Sequence, residues 1–94
     1  MTKVILDVDE LNNSLMFDCL NHAGDTAICR AVSALCGVLA IEATRIGAEP
    51  TVYEDGHVRI DLFNVSIYTH YVFQDVFEVF RQLAEQFPEH VRIY

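Results

Sequence analysis

Asn21 to Cys36 reads NHAGDTAICRAVSALC, a histidine in a glycine-marked loop followed seven residues later by a cysteine, Cys29, in the first turn of a helix. Asp25 or Thr26 can cap that helix by accepting amide N–H groups that the first turn leaves unpaired, and the apolar run from Ala27 supplies its body. Ile28, Ala31, Val32, Leu35, Leu39, Ala43 and Ile46 recur at spacings of three and four, which predicts one buried face. Gly47 can take the left-handed position after the last turn and Pro50 discourages continuation, so the helix spans about residues 26 to 46.

Cys29 then lies where aligned peptide dipoles favour a thiolate over a thiol. His22 sits on a loop short enough to fold back over that turn, where an imidazole can take the thiol proton and later protonate a leaving group. First-turn amides near Cys29 suit an oxyanion. The competing reading is packing alone, since cysteine often behaves as a small hydrophobe. Cys36, two turns further along, reads as core filler, whereas Cys19 on the preceding segment can either pack or approach the same pocket. Cys19, His22 and Cys29 lack a close cysteine pair, so no metal is expected, and with no phosphate loop or Rossmann glycines no cofactor is expected either.

Outward from the helix, Val4, Leu6 and Val8 alternate against Lys3, Ile5 and Asp7, and Leu15, Phe17 and Cys19 share one face of a second strand. Asp9 to Ser14 between them has turn composition, which gives an antiparallel hairpin delivering His22 to the helix. By the same parity Asp18 is expected to face solvent. Asp55-Gly56 between Thr51–Glu54 and His57–Phe63 predicts a second hairpin, with Val58, Ile60 and Leu62 inward and His57, Arg59 and Asp61 outward. Ser66 to Thr69 leads into a second helix at about 70 to 87, whose apolar face is Val72, Phe73, Val76, Phe77, Phe80, Leu83, Ala84 and Phe87, ending at Pro88. Val91 and Ile93 form a last short strand. The reading is a single α/β (α+β) domain over residues 1–94, order ββαββαβ, with two helices packed against an antiparallel or mixed sheet. His57, His70 and His90 read as outward-strand, early-helix and surface residues.

Hydrophobic residues make up 52% of the 94-residue chain and its formal net charge is -8. That balance is globular; it disfavours direct nucleic-acid binding and anionic membranes and leaves basic peptides as the easier partners. Glu42, Arg45 and Glu49 interrupt the longest apolar run, so no membrane helix is expected. Three cysteines without framework spacing fit a reducing cytoplasm. Phe73, Phe77, Phe80 and Phe87 offer more aromatic surface than a small core needs, which predicts a homodimer.

His22-Ala23 followed by Cys29-Arg-Ala-Val-Ser33-Ala-Leu35 resembles the paired signature of the Prp family, the bacterial ribosomal-processing cysteine proteases, in which a Gly-His-Ala turn precedes a Cys-Ala-Ala-Val-Ser-type helix start. Leu83-Ala-Glu-Gln-Phe87-Pro88-Glu-His-Val91-Arg-Ile93 is similar to that family's closing helix and strand. The resemblance implies that Cys29 is a nucleophile, His22 its base, Asp25 a third polar group and Ser33 a stabilising hydrogen-bonding residue. It also implies a dimer that removes an N-terminal extension from a large-subunit ribosomal protein. This chain departs from the pattern at Asn21, which stands for glycine, at Arg30, which stands for a small residue, and in the shortness of the His22–Cys29 segment. The alternative is a noncatalytic dimeric module that binds such a peptide, or the ribosome, without cutting.

Overall fold

The computed structural model describes residues 1–94. Strand β1 spans Thr2–Asp9 and β2 spans Ser14–Leu20; then come helix α1 (Thr26–Arg45), strands β3 (Val52–Glu54) and β4 (His57–Leu62), helix α2 (Ile67–Gln86) and strand β5 (Val91–Ile93). The expected order ββαββαβ therefore holds. The five strands form one sheet in the order β3-β4-β2-β1-β5, antiparallel except that β5 runs parallel to β1. The sheet is mixed, a question the sequence left open.

Register carries the expected alternation across the three central strands. Val4, Cys19 and Val58 stand in one row, Leu6, Phe17 and Ile60 in the next, and Val8, Leu15 and Leu62 in a third. Those rows meet both helices in one core built around Phe17, Leu39, Ile60, Phe73 and Phe80. Phe17 meets Phe73 edge to face with ring centroids 6.5 Å apart, an arrangement worth about 1 kcal/mol beyond its buried area.

Four expectations change. Helix α2 begins at Ile67, three residues earlier than the apolar stripe suggests, because the Ser66 side chain caps it by accepting from Thr69 N–H. The aromatic stripe does not provide dimer surface: Phe73, Phe77 and Phe80 are buried in the core and only Phe87, just past the helix end, remains partly exposed. Asp18 does lie on the sheet face opposite Phe17, yet it is buried, because His57 Nε2 reaches its Oδ1 at 2.8 Å and Arg59 lies over Oδ2 at 3.8 Å. Finally, α1 is by length and composition able to cross a membrane, despite its charges. Its apolar side is instead taken up by the core through Ile28, Val32, Cys36, Leu39 and Ala43, while Ile46 at the end stays exposed.

Helix α1 also carries a buried carboxylate. Glu42 accepts from Thr69 Oγ1 at 2.9 Å and from Arg45 Nε at 2.9 Å, which ties the last turn of α1 to the first turn of α2. Burial by itself would push the Glu42 carboxyl up, but the Arg45 guanidinium and the Thr69 hydroxyl outweigh it and hold the group below its usual range.

Candidate active site around Cys29

The segment between β2 and α1 turns sharply because three of its backbone positions are unusual or committed. Asn21 adopts φ 72° and Gly24 φ 84°, left-handed values that asparagine tolerates and glycine adopts freely. Asp25 is extended at φ -139°, and its Oδ1 accepts from Ile28 N–H at 3.1 Å, so Asp25 rather than Thr26 caps α1. Asn21 is pinned from two sides: its N–H donates to Gly56 O at 2.8 Å and its carbonyl accepts from Thr2 Oγ1 at 2.9 Å. The β3–β4 turn is thereby brought over the His22 loop.

Cys29 is half-buried in the first turn of α1, and its Sγ accepts from Ala23 N–H at 3.3 Å. Together with His22, Ser33, Cys19 and Cys36 it lines a cavity of about 240 Å3, whose far wall is Tyr53 to Val58 of the second hairpin. On its outer side a shallower depression is shared by His22, Asp25, Cys29, Arg30, Ser33 and Asp55. All four residues singled out from the sequence, Cys29, His22, Asp25 and Ser33, thus border one connected region.

Their roles within it are unequal. The His22 ring is largely exposed, and its Nε2 lies 3.4 Å from Asp55 Oδ1; no hydrogen bond joins it to Cys29. Asp25 spends its carboxylate on the helix end and so acts by setting where α1 begins, not by touching His22. Ser33 is exposed one turn beyond Cys29 and lines the cavity wall without a hydrogen bond to either residue. The oxyanion expectation narrows as well. Cys29 N–H donates to Asp25 O at 2.8 Å and Ile28 N–H to the Asp25 side chain, leaving Thr26 and Ala27 as the open donors of the turn.

Asp55 and His90 were not singled out by sequence. Asp55 signals only a hairpin turn, and what brings it to His22 is the Asn21–Gly56 bond between segments far apart in the chain. His90, a surface residue by sequence, is half-buried, and its Nδ1 lies 2.7 Å from Ala23 O. His57 also borders the cavity, but its Nε2 is engaged by Asp18. Cys19 and Cys36 are buried at the cavity floor. The Cys19 thiol is pushed up, first by its hydrogen bond with Cys36 and then by burial, so it stays protonated. Among the three cysteines, Cys29 alone combines partial exposure with a helix N-terminus.

The sequence matches no known protein-family profile, and no curated protein matches it by sequence. Solved structures do match in shape. The crystal structure of an essential ribosomal processing protease, Prp, from S. aureus, in complex with a covalently linked product peptide, superposes with a TM-score of 0.80 at 18% identity, covering 99% of this chain and 97% of that one. SMU.848 from Streptococcus mutans superposes with a TM-score of 0.76 at 20% identity, covering 99% and 91%. Over nearly its whole length, the chain has the fold of the ribosomal processing protease Prp.

Proposed function

We propose that this chain is a cysteine endopeptidase that removes an N-terminal extension from a large-subunit ribosomal protein, with Cys29 as nucleophile and His22 as its base. The observation that carries the reading is a half-exposed helix-start thiol, already accepting a backbone N–H, on the wall of a cavity it shares with the only histidine of its loop. The likeness in fold to a protease holding a covalently linked product peptide supports it.

In this mechanism the Cys29 S–H proton passes to His22 as sulfur attacks the scissile carbonyl carbon. Thr26 and Ala27 N–H groups face the developing oxyanion. Collapse breaks the C–N bond, and the imidazolium returns its proton to the departing amine. Water then hydrolyses the thioester with His22 again acting as base. Asp55, not Asp25, is the carboxylate beside His22 and steadies the imidazolium. Because the His22 ring is exposed and not yet bonded to sulfur, a bound peptide closes that gap, as catalytic hydrogen bonds often tighten only in the complex.

A noncatalytic peptide-binding module is the second reading, favoured by the same missing Cys29–His22 bond. Incubation with the large-subunit ribosomal proteins of the same cell, read by intact mass, separates the two: the protease trims one of them at its N terminus, whereas the module binds one and leaves its mass unchanged. The reading also includes a cytoplasmic location, which the three free cysteines support, and a homodimer.

A further inference from the structure

We propose that His90 is a positioning residue for the Cys29 thiol, acting through Ala23; the inference rests on Cys29 being the nucleophile. Ala23 is buried at 2% exposure between the two side chains. Its N–H points at Cys29 Sγ at 3.3 Å, and its carbonyl meets His90 Nδ1 at 2.7 Å. A carbonyl oxygen only accepts, so Nδ1 carries the hydrogen and donates it. One residue therefore links the candidate nucleophile to a side chain from the far end of the sequence.

His90 is itself held firmly. Its N–H donates to Phe87 O at 2.9 Å, Val91 N–H donates to the same oxygen at 3.1 Å, and its carbonyl accepts from Thr2 N–H at 2.8 Å. The turn after α2 is thus fixed to the start of β1, and the imidazole is presented from a rigid base. On the other side of Ala23, Gly24 at φ 84° turns the chain away towards the Asp25 cap. With Asn21 pinned to Gly56 and Thr2, only His22, Ala23 and Gly24 lie between those clamps and the Asp25 cap, and the tilt of the His22–Ala23 peptide plane decides whether the Ala23 N–H stays aimed at sulfur. Without the His90 donor, the buried Ala23 carbonyl loses its partner and the loop relaxes to find another. The N–H then leaves Cys29 Sγ, and a donor that favours the thiolate is lost.

The test compares wild type, His90→Ala, His90→Asn and His90→Gln. Asparagine presents its amide nitrogen where histidine presents Nδ1, whereas glutamine presents it where histidine presents Nε2. Iodoacetamide labelling of native protein at neutral pH gives the Cys29 rate, and the Ala23 amide proton resonance reports its bond to sulfur. His90→Ala is expected to slow Cys29 labelling about fivefold, the weight of one hydrogen bond, and to move the Ala23 resonance. His90→Asn restores both and His90→Gln restores neither. An unchanged rate and resonance in His90→Ala, or equal restoration by Gln and Asn, would overturn the proposal. Should His90→Ala fail to fold by circular dichroism, the Asn and Gln variants decide it. Failure of the underlying reading looks different: Cys29 in wild type would not outpace Cys19 and Cys36, while the Ala23 resonance would still show whether His90 holds the loop.

Discussion

In the proposed mechanism Asp55 stands beside His22, where the family resemblance would place Asp25, and Asp25 caps α1 instead. Asp25 was legible as a helix cap, because a cap is set by its neighbours in the chain; Asp55 was not legible as a partner of His22, because its proximity depends on a hairpin docking across the loop. The division has separate signatures. Asp25→Ala should destabilise the fold by about 1 kcal/mol in denaturant titration, since Ile28 N–H loses its acceptor. Asp55→Asn should leave stability unchanged, the Asp55 side chain being almost fully exposed, and lower turnover of the true peptide. At Cys29, substitution by alanine should abolish cleavage, and His22→Ala should slow it by about a hundredfold or more. Alkylation of native protein should reach Cys29 before Cys19 or Cys36, which are buried at 4% and 3% exposure. Peptide mapping after iodoacetamide treatment checks this, and faster labelling of either buried cysteine would remove Cys29 from the mechanism.

The two helices show where periodicity informs and where it stops. The stripes named the core-facing residues of α1 and α2 well, but an apolar stripe carries no sign of a carboxylate tolerated beside it, and Glu42 was read only as an interruption. Its burial makes sense once Thr69 and Arg45 are in place, a pairing of elements that local pattern does not contain. Because the folded Glu42 carboxyl lies below its unfolded value, its contribution to stability is fully present above the ordinary carboxylate range and is lost as pH falls through the depressed folded value. Thermal melts should therefore show the wild type losing midpoint below about pH 4.5, with the loss reduced in Glu42→Gln. At neutral pH, Glu42→Ala should cost about 1–3 kcal/mol, because the buried Thr69 hydroxyl loses its acceptor.

For the whole molecule, strand number and element order were legible, whereas the sheet order and the parallel pairing of β5 with β1 were not, since three-residue strands carry too few side chains to specify a partner. The proposed homodimer needs a different surface from the phenylalanine stripe. Ile67 and Tyr68, four and three residues before Tyr71 at the start of α2, are like it more than half exposed, and together they are the candidate. Sedimentation at tens of micromolar should give a dimer for the wild type and a monomer for Tyr68→Glu; a wild-type monomer would contradict the assembly. The His90–Ala23 bond, which spans 67 positions of the chain, also bears on how the molecule comes into being. Short hairpins close cheaply and early, while a contact of that span pays its loop-closure entropy only after the intervening elements have formed. A chain still folding, with β1, β2 and α1 assembled but β5 undocked, has the Thr2–Asn21 bond but lacks the His90 hold on Ala23. On the proposed reading, a nascent or partly unfolded copy is therefore a blunt instrument until its final strand is home.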